Sequence, residues 1–281
     1  MPLQRAPPRL DWRMIRQTDM NSPPTPLLTI FNGPYEDRIT TLIDILGFSR
    51  DVASLASRPG LIVSIEAVLT RLRKCKVDID NARTSGRSRH DAKMTCFSDN
   101  IVLSYTRDGA ARALADAAFI SQTLLRGGYL PRGAITVGKL IHTEEIIFGA
   151  GLIEAAEAEK ATIIMPCIAL LPPFETLVEP VFAGVPEDKP LYLRSDAAKQ
   201  FVHILGDQWP FLAQEKRDMA ARGIGGDPIA EMYDEIRLAL PIRHSNAPHE
   251  AAREKIRWMR DYVNQTIAEQ GLPSHYQVVL S

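Results

Sequence analysis

The chain has 281 residues, 45% of them hydrophobic and 24% charged, which suits one core of roughly 150–200 residues plus an extension. A formal net charge of −1 and a pI near 6.6 leave no global field drawing it to nucleic acid or to an anionic membrane. No apolar run reaches the roughly 18–20 residues of a membrane span, no signal-peptide core opens the sequence, and the three cysteines lie in no metal-ligand spacing. A cytoplasmic location is expected, with Cys96 and Cys167 in the core.

Residues 1–36 hold Pro2, Pro7, Pro8, Pro23, Pro24, Pro26 and Pro34 among Arg5, Arg9, Arg13 and Arg16, the composition of a flexible basic arm rather than a domain. From residue 38 the pattern changes. Residues 38–48 read as an apolar strand. Residues 52–73 carry Leu55, Leu61, Ile62, Ile65, Val68, Leu69 and Leu72 at helical spacing. The basic run 83–90 is read as a solvated loop or as a cover for a bound anion, and residues 93–105 as a strand pair turning at Ser98-Asp99-Asn100. Residues 110–126 return to helical spacing and stop at Gly127-Gly128. A strand at 132–141, a helix at 150–161 and a strand at 166–170 follow, then a hairpin across 178–193. Residues 197–214, 227–240 and 248–269 read as helices, with Trp209 and Trp258 as buried anchors. The order β-α-β-β-α-β-α-β predicts an α+β, ferredoxin-like (split βαβ) domain with a helical C-terminal extension.

Two apolar runs each contain one carboxylate: Asp44 in Leu-Ile-Asp-Ile-Leu-Gly-Phe-Ser (42–49) and Asp99 in Cys-Phe-Ser-Asp-Asn-Ile (96–101). In the split βαβ topology they fall on neighbouring strands, where a shared divalent cation is the cheapest compensation for two poorly solvated acids. The strand bearing Asp44 turns through Gly47 into what reads as a helix start, a place for phosphate. Asp44 also fits an ion-paired core acid, Asp99 a turn residue bonding its own backbone. Arg132 is either a phosphate donor or half of a structural pair. Glu154, Glu157 and Glu159 with Lys160 read as the solvent face of their helix, and His142 as structural.

Asp-Ile-Leu-Gly-Phe-Ser at 44–49, Phe-Ser-Asp-Asn at 97–100, Arg-Gly-Ala-Ile-Thr-Val-Gly at 132–138 and Phe-Gly-Ala-Gly-Leu-Ile-Glu-Ala-Ala-Glu-Ala-Glu-Lys at 148–160 resemble, in that order, the catalytic domain of class III nucleotidyl cyclases. The resemblance spans residues 38–175. It implies a cyclase domain at 37–195 between the arm (1–36) and a helical extension (196–281). It further implies two divalent cations, Mg²⁺ or Mn²⁺, on Asp44, Asp99 and the Ile45 carbonyl. Gly47, Phe48 and Ser49 would form the phosphate loop, and two copies would assemble into a homodimer with the sites at the interface.

The departures are informative. Adenylate and guanylate cyclases carry an Asn and, four residues later, an Arg where this chain has Ile153 and Glu157, the latter at a position that faces the cleft in the family and so a further site candidate, and a Lys or Glu that reads the purine where it has Thr95. Leu-Pro-Arg-Gly-Ala-Ile at 130–135, the 148–160 segment and the C-terminal extension look like the pyrimidine cyclases of Pycsar antiphage systems. The expected activity is therefore cyclisation of UTP or CTP to a second messenger of antiphage defence, with Asp44, Asp99 and Arg132 catalytic and Thr95 at the base. The alternatives are a catalytically degenerate nucleotide-binding regulator, favoured by Ile153 and Glu157, and a purine cyclase. A diguanylate cyclase is disfavoured because its Gly-Gly-acid-acid-Phe hairpin is missing.

Overall fold

Successive side chains of a strand point to opposite faces, and residues 38–45 use this to serve two different environments. A computed structural model describes residues 35–84, 90–181, 193–196 and 199–280; the expected arm up to residue 34, residues 85–89 of the basic loop and the Gly184–Asp188 bend of the expected hairpin lie outside them. Strand β1 (Glu36–Leu46) runs antiparallel between β3 (Asn100–Tyr105) and β4 (Leu130–His142), and β2 (Lys93–Phe97) borders β3. Helix α1 (Phe48–Ala53) and α2 (Leu61–Thr84) connect β1 to β2, and α3 (Ala110–Arg126) connects β3 to β4. This is the split βαβ of a ferredoxin-like α+β fold. Beyond β4, strand β6 (Ile168–Leu170) adds in parallel, followed by β8 (Lys199–Val202) and β7 (Leu193–Asp196), giving the order β2-β3-β1-β4-β6-β8-β7, with β5 (Ile147–Phe148) pairing the end of β4.

Ile39, Ile43 and Ile45 of β1 join Ile101, Leu103, Tyr105 and Ile135 in the large core against α2 and α3. Each such fully buried side chain contributes about 1.5–3 kcal/mol. The alternate residue Leu42 enters a smaller cluster with Val102, Ala134 and Ala155 beneath α4 (Ala150–Ala161) on the other face. Two glycines set that contact: a Cβ on Gly138 of β4 would lie 2.8 Å from the Cα of Gly151 of α4, so helix and strand touch backbone to backbone.

After α5 (Pro172–Val178), the C-terminal part contributes α6 (Pro210–Ala221), α7 (Pro228–Ser245) and α8 (Glu250–Glu269). Tyr233, Ile236 and Leu240 of α7 and Met259 and Val263 of α8 belong to the large core. Arg126, at the end of α3, ties the helices down through Glu215 of α6 at 3.1 Å and Glu235 of α7. Asp227 caps α7 by accepting from the Ile229 amide at 3.3 Å, with Pro228 at the first helical position.

Several expectations are corrected. The helix expected over 52–73 is split near Pro59-Gly60, and α2 runs on to Thr84 because Cys75 and Ile79 continue the buried stripe of Ile65, Val68 and Leu72. Residues 178–181 are helical rather than extended. The helix expected to start at 197 gives way to β8, whose Phe201 and Val202 turn into the core, and the helix begins only at Pro210. The sheet therefore runs past residue 195. Cys96 is exposed on β2 and Cys167 is half-buried; Cys75 is the core cysteine. Among the described residues no helix is long and apolar enough to cross a membrane.

Candidate active site

The register of the sheet assembles the site. Asp44 of β1 lies opposite Asn100 of β3 on one side and Arg132 of β4 on the other, so all three project from one face. Asp99 occupies the β2–β3 turn, where Ser98 takes a left-handed φ of 54°, and its carbonyl accepts from the Ile45 amide at 2.8 Å. Because N–H and C=O of a strand residue lie on the same side, the Ile45 carbonyl is turned toward that turn as well.

Asp44, Asp99, Asn100 and Arg132 line one cavity of about 460 Å³, together with Phe97, Leu42 and, from α4, Leu152, Ala156, Glu159 and Lys160. This lies within the usual range for small-ligand pockets. The Arg132 guanidinium stands 3.5 Å from the Asp44 carboxylate and pairs with Glu159. Lys255 of α8 is close enough to feel the charges of Asp44, Glu159 and Arg132.

Electrostatics separates the two aspartates. Burial, reinforced by the Glu159 and Asp99 charges and opposed by Arg132, raises Asp44 to about 6. Asp99 is held below the usual carboxylate range, chiefly by the Ser49 hydroxyl that donates to it; the Asn100 amide adds a bond at 3.0 Å. Among the described residues no three His, Cys, Asp or Glu side chains converge as a metal cluster. A cation here would rest on two carboxylates and a carbonyl, completed by oxygens of a ligand. That donor set is entirely hard oxygen, which suits Mg²⁺ or Mn²⁺, and the excess negative charge around Asp44 is what such an ion relieves.

Gly47 has φ 82°, the left-handed conformation that lets β1 end and α1 begin within one residue. Phe48 is buried against Tyr129 with ring centroids 5.8 Å apart, while Ser49 is exposed beside Asp99. Thr95 lies on the same face of the sheet but outside the cavity lining, and its hydroxyl meets His142 Nε2 at 2.9 Å. His142 also bonds the Ser104 hydroxyl through Nδ1 at 2.8 Å. Ile153 and Glu157 are exposed on α4 and do not line the cavity.

No protein-family model and no curated protein matches the chain. Among solved structures, a bacterial light-regulated adenylyl cyclase superposes with a TM-score of 0.39 at 13% identity, over 64% of this chain; the chain spans 56% of that protein's length. The guanylyl cyclase domain of the RhoGC fusion protein of the fungus Blastocladiella emersonii gives 0.38 at 15% identity, over 59% of this chain and 94% of that domain. An adenylate/guanylate cyclase/hydrolase from Silicibacter pomeroyi gives 0.34 at 17% identity, over 59% and 98%.

Glu159 is the main correction at the site. Read from sequence as solvent-facing, it is 5% exposed and reaches Arg132. The signal was present: Gly151, Ala155 and Glu159 recur every four residues and form the buried stripe of α4. Lys255 and Arg243 carried no comparable signal, since only the packing of the C-terminal helices brings them near this end of β1.

Proposed function

We propose that the protein is a nucleotidyl cyclase that converts UTP or CTP to the 3′,5′-cyclic mononucleotide and pyrophosphate, acting as a homodimer and supplying a second messenger in antiphage defence. The observation that carries this reading is the convergence of Asp44 and Asp99 on one cavity, beside the left-handed Gly47 turn and with Arg132 and Lys160 as cations. Two divalent cations on Asp44, Asp99 and the Ile45 carbonyl would supply Lewis-acid stabilisation at the phosphates. The chain's own groups do the rest. Backbone amides of 47–49 receive the terminal phosphates, and Arg132 and Lys160 offset charge that develops as the ribose 3′-oxygen bonds to the α-phosphorus and pyrophosphate departs. For Arg132 this means exchanging its Glu159 partner for a phosphate oxygen.

Where adenylate and guanylate cyclases place a purine-reading Lys or Glu, this chain has Thr95, outside the cavity lining and bound to His142, so no charged group reads a purine edge from that position, which favours the smaller pyrimidines. With the pure protein, Mn²⁺ and equal concentrations of the four nucleoside triphosphates, cyclic UMP or cyclic CMP should exceed the purine products by about ten- to a hundred-fold, the selectivity one or two hydrogen bonds supply. Dominant cyclic AMP or cyclic GMP would defeat the pyrimidine assignment alone.

Assembly has its own test. Ile153 of α4 is 59% exposed and Phe148 of β5 45% exposed, apolar surface around the helix that lines the cavity. A two-fold dimer covering this face would complete the outer wall of the cavity. Light scattering should give twice the mass of 31.2 kDa, and a fully active monomer would refute the dimer.

The pairing of Arg132 with the buried Glu159 favours a second reading, a nucleotide-binding regulator without turnover. Tight binding of a triphosphate with no cyclic product from any of the four would select it.

A further inference from the structure

The turn that follows β1 is held from outside its own domain half. Arg243, in the last turn of α7, donates through Nη2 to the Leu46 carbonyl at 3.0 Å, and through Nη1 to the Asp51 carboxylate. Its guanidinium lies over the Tyr129 ring, 4.6 Å from the centroid, and that ring in turn packs on Phe48. Asp51 is 2% exposed and also accepts from Arg50 at 3.2 Å. Burial opposes its ionisation, yet the hydrogen bond and charge of Arg243, with those of Arg50, hold its carboxyl below the usual range. One planar fork thus grips both ends of the 46–51 segment, a bidentate task that a point charge such as Lys cannot perform.

Gly47 records the same contact. A Cβ there would sit 2.4 Å from Arg243 Nη2, so the missing side chain is required by the guanidinium as well as by the φ of 82°. Ser49, which meets Asp99, lies within this segment, and Ile45, whose amide bonds the Asp99 turn, immediately precedes it.

We propose that Arg243 is a positioning residue through which the C-terminal helices hold residues 46–51 in the shape that receives the phosphates of the substrate. The inference rests on the triphosphate-binding role given to this turn above. It assigns to the C-terminal extension a direct part in forming the site: loosening α7 would release the turn without touching either aspartate.

The test uses the full chain and the variants Arg243→Ala, Arg243→Lys and Arg243→Gln, with Ile242→Ala, 64% exposed on the same helix, as control. Two readouts are taken: calorimetric affinity for inorganic tripolyphosphate with Mg²⁺, and amide hydrogen exchange resolved along the chain. In every folded Arg243 variant, lysine included, affinity should fall by about tenfold or more, and exchange in 47–51 should accelerate while that in β4 stays slow. Ile242→Ala should match the wild type in both. Unchanged affinity and unchanged turn exchange in a folded variant overturn the proposal. So does acceleration spread evenly over the chain, the mark of a merely structural role, and so does a wild type that does not bind tripolyphosphate. Turnover is scored separately: wild-type binding of tripolyphosphate without any cyclic product would refute the cyclase reading and leave the Arg243 clamp standing.

Discussion

Asp99→Ala should eliminate cyclic-nucleotide formation, by about a thousandfold or more, with the circular dichroism spectrum unchanged. The size follows from the several kcal/mol that a correctly held cation contributes to phosphoryl chemistry, at 1.36 kcal/mol per factor of ten. The fold should tolerate the change because Asp99 sits in a turn and is only half-buried. Asp44→Asn should be equally inactive and yet more stable. In the folded protein the Asp44 carboxyl is raised from 3.8 to about 6, so its ionisation favours the unfolded chain. The contribution to stability is fully present below pH 3.8 and is lost as pH rises through 6, leaving a cost of about 1–3 kcal/mol at pH 7 that asparagine removes. A higher melting temperature with no turnover is the expected pair of results. Turnover of either variant within tenfold of wild type would sink the two-aspartate mechanism.

Acid should unfold this protein early. His142 and His203 are each 3% exposed and each held down to about 3, by burial first and then by neighbouring cations, Lys93 and Arg38 for His142 and Arg194 for His203. Their bonds explain the preference for the neutral ring: Nδ1 of His203 accepts from Arg194 Nε at 3.1 Å and meets the Tyr262 hydroxyl at 2.7 Å. The folded pKa of each lies below the unfolded value of 6.5, so the stability they confer is complete above pH 6.5 and declines as pH falls toward 3. Each histidine steepens the loss by about 1.4 kcal/mol per pH unit, up to about 4 kcal/mol for the pair at pH 5, a large share of the 5–15 kcal/mol typical of a domain. Urea denaturation at pH 7.5 and pH 5.0 should show this drop, and the double variant His142→Gln, His203→Gln should flatten it. An equal pH slope in wild type and double variant would show that other groups govern acid stability.

How much of this is legible in the sequence depends on the range of the interactions. The strand carrying Asp44 and the helices at 110–126 and 150–161 read correctly because their apolar spacing is a local property, and the split βαβ order then placed Asp44 beside Asp99. Residues 199–202 depart from the expected helix because a short apolar run such as Phe201-Val202-His203-Ile204-Leu205 fits a helix or a strand equally, and pairing with β7 and β6 decides between them. Glu159 departs from expectation because a charge on a helix ordinarily marks solvent, whereas this one continues a stripe of small residues and meets an arginine inside. The clamp at Gly47 was out of reach: Leu46 and Arg243 are separated by 197 residues, and no periodicity connects them.

The backbone contact between Gly138 and Gly151 gives the molecule a coarse adjustment for the size of its chamber. Glu159 and Lys160 ride at the far end of the same rigid helix, so the depth at which they enter is set where the helix rests on the strand, more than two turns away. A single methyl group on Gly138 would act as a wedge, meeting the Gly151 Cα at 2.8 Å and pushing the helix away from the strand with every lining side chain intact. The width of the chamber therefore depends on this remote contact as well as on its walls, and a search for size determinants confined to the walls would overlook it.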